Sequence, residues 1–403
     1  MFPHRTAISI ACLALASCLV LASPDGRSAL ANTPAAAPAT SSAAPDLRGV
    51  ALAPLDKAHT FAQLRAGADE PGPSTLLVLS LARDGIQAID LSALSGLHGA
   101  DAFDVINRFD SAALDALARQ PQRARRYPLE RLLGVGPRGL AHVAAGTNYP
   151  AHGEETGVEG AFLFPKLSPA TGPRTTVATA PGVLLDYEVE VCARFDRELR
   201  SIADFEAARK GLFLCGDFSD RATLVRNIDL RNITSGDGFA DAKSGADRFP
   251  TGPFLVVPRD WRAFLAEVTI ATHVDGQPRQ QARAADMIKD LPTIVRETLN
   301  EAGTRSWSYA GGRIPMVARG AIGTDSAVLT GTGDGVVFRE PGPEVMKEVM
   351  TARDRAAQVA AIERYLAGEA ARRIYLQPGN RVRHSSNVLG WIEATVVVAP
   401  GGK

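Results

Sequence analysis

The chain has 403 residues, of which 45% are hydrophobic and 22% charged, with 44 basic side chains against 44 acidic ones. That is ordinary globular composition, and a formal net charge of zero argues against a general nucleic-acid binder. The length admits two or three average domains, or one large β-rich unit.

The first segment is set apart from the fold. His4 and Arg5 precede an apolar run over Thr6–Ala22, and a stretch of small residues ends Ala29-Leu30-Ala31. This pattern predicts a signal peptide over residues 1–31 and export, with a periplasmic location expected. Leu15-Ala16-Ser17-Cys18 offers the alternative of a lipoprotein anchored at Cys18. The apolar core is shorter than the ~20 residues a membrane-spanning helix needs, so no stable span is expected after signal removal. Residues 32–46 are Ala, Pro, Ser and Thr rich and read as a flexible linker.

Residues 47–126 mix apolar runs, Leu76–Leu81 and Ile86–Leu91, with a helical stretch over Asp101–Arg119, and predict a small α+β portion. From residue 127 to 403 the pattern is short strands punctuated by Gly and Pro. The clearest helices there are expected over Gln280–Ala302, interrupted by Pro292, and over Pro343–Arg373.

Within that region, Asn148-Tyr149-Pro150-Ala151-His152-Gly153-Glu154-Glu155 places His152 and Glu155 three apart, on one face of a single helical turn. A carboxylate that holds one imidazole nitrogen leaves the other free to act as a base. Next, Leu185–Arg194 reads LDYEVEVCAR. Strand alternation puts Leu185, Tyr187, Val189 and Val191 on one face and Asp186, Glu188 and Glu190 on the other. Three like charges on one strand face repel each other, so something positive belongs there. A divalent cation with oxygen ligands fits, as does a solvated face on an edge strand. Leu212–Arg221 then runs from an apolar strand into Gly216-Asp217, where a third carboxylate could stand.

Cys12 and Cys18 fall in the signal, leaving Cys192 and Cys215. If their strands are antiparallel with Glu190 opposite Asp217, the two cysteines face each other, and a cross-strand disulfide is one expectation. Two buried free thiols are the other, and the preferred one.

Taken together, these blocks resemble the fumarylacetoacetate hydrolase family over about residues 127–398. N-Y-x-x-H-x-x-E is matched by Asn148, Tyr149, His152 and Glu155, and L-D-Y-E-x-E by Leu185 to Glu190. N-D-x-S-x-R is matched as Gly216-Asp217-Phe218-Ser219-Asp220-Arg221, with Gly in place of Asn. Lys166 and Ser168, Lys243-Ser244 before Pro250-Thr251-Gly252-Pro253, Thr330-Gly331-Thr332-Gly333, and Leu376 to Val382 match the remaining segments. Gly333 stands where Pro is usual, and the 343–373 helix looks longer than the usual connector.

The resemblance implies an α+β, mostly β fold, a twisted β roll, with Glu188, Glu190 and Asp217 holding Mg²⁺ or Mn²⁺, or Ca²⁺. His152, Glu155 and Lys243 would be catalytic, and Tyr149, Arg221 and Thr332 would bind substrate, with Asp186 at the rim. Pro150, Gly153 and Gly157 are compatible with a hinged lid. The implied function is metal-dependent hydrolysis of a carbon–carbon bond in acylpyruvate-like or β-diketo acids, as in aromatic catabolism, with homodimers a common assembly. Decarboxylation, isomerisation or hydration of a 2-oxo acid starts from the same ligand set. The export signal raises the further alternative of a catalytically silent envelope binding protein. The distal half of the substrate is expected to meet the N-terminal portion and the loops.

Overall fold

Short runs rich in Val, Leu and Phe, separated by Gly and Pro, cannot bury themselves singly and pair into sheets instead. The structure, a computed structural model, describes residues 45–399 apart from 69 and 159. The signal segment with Cys12 and Cys18, and the linker as far as residue 44, lie outside the described residues.

One large mixed sheet runs, in spatial order, through Arg125–Tyr127, Gly85–Asp90, Ser74–Ala82, Ala58–Leu64, Phe254–Pro258, Lys210–Gly216, Val189–Phe195, Val328–Leu329, Ala141–Gly146 and Phe162–Leu167. Leu132–Leu133 adds an eleventh strand against Ala58–Leu64. A five-stranded sheet orders Gln277–Arg283, Thr269–Val274, Arg381–Ser386, Trp391–Val398 and Arg174–Thr179. The fold is α+β with sheet dominant, as expected. The apolar runs at 76–81 and 86–91 lie in strands of the large sheet, save Leu91, which opens a short helix, and the sheet thus joins the first portion of the chain to the acidic strand. Among the described residues no helix is long and apolar enough to cross a membrane.

Three helix expectations need correcting, the first being Asp101–Arg119, which is two short helices, Ala102–Ile106 and Ser111–Ala118. Gln277–Arg283 is a strand, and the helix starts only at Leu291. Pro292 does not interrupt it: Pro sits in the first turn, where its missing N–H costs nothing, and the Asp290 side chain caps Thr293 N. The stretch 343–373 is two helices, Pro343–Met350 and Arg355–Arg372, because the Asp354 side chain caps Ala357 N and starts the second afresh.

The register between the acidic strand and its neighbour also differs from expectation. Glu190 stands opposite Cys215, and Cys192 opposite Phe213, a shift of two residues. The disulfide forms nonetheless, diagonally, between Cys192 and Cys215 with Cα atoms 5.9 Å apart, so the free-thiol alternative fails. Both cysteines are fully buried. The bridge closes a segment with a sequence separation of 23, for which the loop-entropy model gives about 3 kcal/mol. Replacing both cysteines by Ala is expected to lower unfolding stability by about that amount, read as a fall in the denaturant midpoint. An unchanged midpoint would mean the cross-link contributes nothing.

Candidate active site

The acidic strand does not run straight. Leu185–Asp186 pairs with Ser219–Asp220, the chain leaves the ladder at Tyr187–Glu188, and it re-enters at Val189. Across the gap the Lys210–Gly216 strand ends, and Asp217 N donates to Glu188 O at 2.9 Å. This irregularity brings side chains from two strands to one point. One oxygen from each of Glu188, Glu190 and Asp217 lies within 4.8 Å of the others, and all three residues are buried. A solvated edge is thereby ruled out: Val189–Phe195 is buried along its whole length.

Part of the positive charge that the acidic face requires comes from three cations on other elements. Lys166, in the strand Phe162–Leu167, donates to Asp217 Oδ1 at 2.6 Å and also to Lys243 O. Lys243, at the end of the helix Phe239–Lys243, reaches Glu188 Oε2 at 2.7 Å, Asp217 Oδ2 at 2.9 Å and Ser219 Oγ at 2.8 Å. Arg221, at the start of the helix Arg221–Asn227, holds Glu188 Oε1 at 2.6 Å and Asp186 Oδ2 at 2.9 Å. Asp186 also accepts from Tyr187 N, Val337 N and Phe338 N. Fully occupied in this way, Asp186 positions Arg221 and the 337–338 segment.

Burial would push the Glu188 carboxyl up, but Lys243 and Arg221 outweigh it and hold it at about 2. Glu190 goes the other way. Burial first, then Asp217 and Glu188, push its carboxyl well above the usual range. Its Oε2 accepts from Gly331 N at 2.7 Å, while its Oε1 is buried without a partner. Burial also lowers the Lys166 ammonium, whereas Asp217 and Glu188 outweigh burial at Lys243 and raise it.

A divalent cation fits this donor set. An orphaned carboxylate oxygen aimed among like charges is the observation that calls for one, and oxygen-only ligands suit a hard ion. With all four carboxylates ionised against three side-chain cations, a bound divalent ion would leave one net positive charge. That is the sign an anionic ligand needs.

His152 and Glu155 share the helix Pro150–Thr156, with Nδ1 and Oε2 3.3 Å apart. Glu155 is itself fixed by Gly335 N and by Arg339 at 2.7 Å. Thr332 donates to Val189 O and accepts from Gln280 Nε2, both at 2.8 Å. Tyr149 is buried, with a hydroxyl that has no partner. Asn148 clamps Lys289 and Thr330 through its amide and is structural.

A single cavity is walled by His152, Glu188, Arg221, Lys243 and Thr332 together with apolar side chains. Tyr149, Glu155, Glu190 and Asp217 do not line it. Two contributors had no assigned role in the sequence reading. Lys166 had a signal, since a cation inside an apolar strand must be paired if buried. Gln280, which carries Thr332, was hidden in the misread helix.

The sequence model of the family described as fumarylacetoacetate (FAA) hydrolase C-terminal matches residues 141–397. No curated protein matches the chain by sequence. Among solved structures, a fumarylacetoacetate hydrolase from the psychrophile Exiguobacterium antarcticum aligns with a TM-score of 0.53 at 19% identity, covering 85% of this chain and 100% of that one. A maleylpyruvate hydrolase from Sphingobium sp. SYK-6 aligns with a TM-score of 0.50 at 20% identity, covering 84% of this chain and 100% of that one. At such identities the likeness shows a shared fold.

Proposed function

The chain belongs to the fumarylacetoacetate hydrolase family, and on that premise we propose that it is a divalent-metal-dependent hydrolase cleaving a carbon–carbon bond in acylpyruvate-like or β-diketo acids. The observation that carries this reading is the buried triad Glu188, Glu190 and Asp217 beside a cavity that also presents His152. A divalent ion held by the triad would supply Lewis-acid stabilisation of the negative charge developing on the 2-oxo group.

The protein side of the reaction follows from the geometry. Glu155 holds the imidazole at Nδ1, leaving Nε2 to take a proton from water in the cavity. That water adds to the distal carbonyl carbon, and the bond from this carbon to the next breaks toward the 2-oxo acid. His152 then returns its proton to the carbon that leaves, giving a carboxylic acid and a 2-oxo acid for one water consumed. Lys243 Nζ adds positive charge at the cavity wall, where oxyanion character develops. Arg221 and Thr332 shape the same wall through groups already fixed by Asp186, Glu188 and Gln280.

Export to the periplasm belongs to this reading, supported by a disulfide of the kind that oxidising compartments maintain.

The test is turnover of acetylpyruvate and related acylpyruvates, followed by loss of enol absorbance with Mg²⁺ or Mn²⁺, with chelator, and beside Glu190→Ala. Activity that needs metal and vanishes in the variant is expected. Full activity in Glu190→Ala would overturn the metal assignment. Metal binding without turnover would favour a silent binding protein.

A further inference from the structure

The cavity's paired charges gather at the carboxylates, and most of its wall is apolar. Beyond His152, Glu188, Arg221, Lys243 and Thr332, its wall includes Leu224, Ile228, Leu230, Ile233, Phe338 and Met346. These come from the helix Arg221–Asn227, the segment after it, and the 338–350 region. None of the lining residues belongs to 47–126, so the first portion of the chain does not form the distal end. The longer connector does: Met346 lies on the helix Pro343–Met350.

Charge decides what such an end accepts. Besides the imidazole of His152, the basic residues on the wall among the described residues are Arg221 and Lys243, and both are engaged by Asp186, Glu188 and Asp217. The remaining charged residue, at the 340–346 side, is the acid Glu340. A carboxylate carried there would lose its hydration, find no free cation and meet a like charge. An alkyl or aryl group would instead exchange water for apolar contact.

Resting on the reading of this site as a 2-oxo acid hydrolase, the geometry points to its substrate class: acylpyruvates whose acyl end is an uncharged aliphatic or aromatic group, not a second carboxylate. The polar end takes the 2-oxo acid, and the apolar end selects the tail by excluding charge.

The test compares ligands of equal length that differ in one terminal group. 2-Oxohexanoate and 2-oxoadipate are titrated calorimetrically into the full exported chain with Mg²⁺, and turnover of butanoylpyruvate is set beside that of succinylpyruvate. 2-Oxohexanoate is expected to bind at least about tenfold more tightly. Met346→Lys, at a half-buried position, should narrow or reverse that ratio, and Ile228→Lys serves should the first variant melt early. Equal or tighter binding of 2-oxoadipate by the parent protein would overturn the inference, as would failure of 2-oxohexanoate to bind. The expected binding ratio with neither acylpyruvate turned over would leave the tail site standing and remove the hydrolase reading.

Discussion

Glu190→Gln is expected to make the metal-free protein more stable while destroying its divalent-metal site. In the folded chain Glu190 is buried, and its two nearest charged neighbours of the triad are the carboxylates Asp217 and Glu188. Only Oε2 has a partner, Gly331 N, and a Gln carbonyl can keep it. The Gln amide would put a donor where Oε1 now has none. Removing a strained buried charge of this kind stabilises by about 1–3 kcal/mol. The effect has a sign in pH. The unfolded chain releases the Glu190 proton near pH ~4.3, whereas the folded chain holds it to well above that. The group's contribution is therefore full below the unfolded value and lost as pH rises toward the folded one. The variant carries no such group, so its advantage should grow over that interval, read from melting curves with chelator present. Divalent affinity should fall by more than the ~10–100-fold that changes to outer partners cost. A variant that melts lower than its parent at pH 7 would contradict the view that Glu190 is strained for the sake of a cation.

The acidic strand was legible because two chemistries conflict in it. Alternation fixed which face Glu188 and Glu190 share, and no buried strand tolerates that face unpaired. What alternation could not carry was the break at Tyr187–Glu188, because a strand that leaves and re-enters a ladder keeps its residue types while changing its partners. The two-residue error in register followed from that break. The disulfide therefore joins diagonal neighbours and not the directly opposed residues that the expected register would have supplied. The cations were harder to see. Lys166, Arg221 and Lys243 come from a strand and two helices separated in sequence, and only the folded sheet sets them around the same carboxylates.

The misread strand at 277–283 has a different cause. Its residues favour helices or loops, yet it is the outer strand of the five-stranded sheet, with only Gln280 fully buried. Edge strands carry charged and proline residues that deter further pairing, so their composition argues against their own conformation. The cost fell on the site reading, since Gln280 is the residue that ties Thr332 to the five-stranded sheet.

His152→Ala is expected to separate water activation from metal binding. The imidazole's side-chain partner is Glu155, and no hydrogen bond joins it to Glu188, Glu190 or Asp217. Its removal should therefore leave divalent affinity and melting temperature close to those of the parent. Hydrolysis of an acylpyruvate should fall by about 10²–10⁴ in kcat, the range that a positioned general base contributes. Glu155 makes a poorer target, because it also holds Gly335 N and Arg339, and its loss would release the 335–339 segment as well as the imidazole. The comparison that decides the reaction type uses oxaloacetate beside the acylpyruvate. Decarboxylation consumes no water at a distal carbonyl, so a decarboxylase with this triad should keep most of its rate in His152→Ala. Selective loss of hydrolysis in the variant would assign the histidine to water. Retention of both activities would leave the imidazole no part in the chemistry and would place water activation on another group of the site.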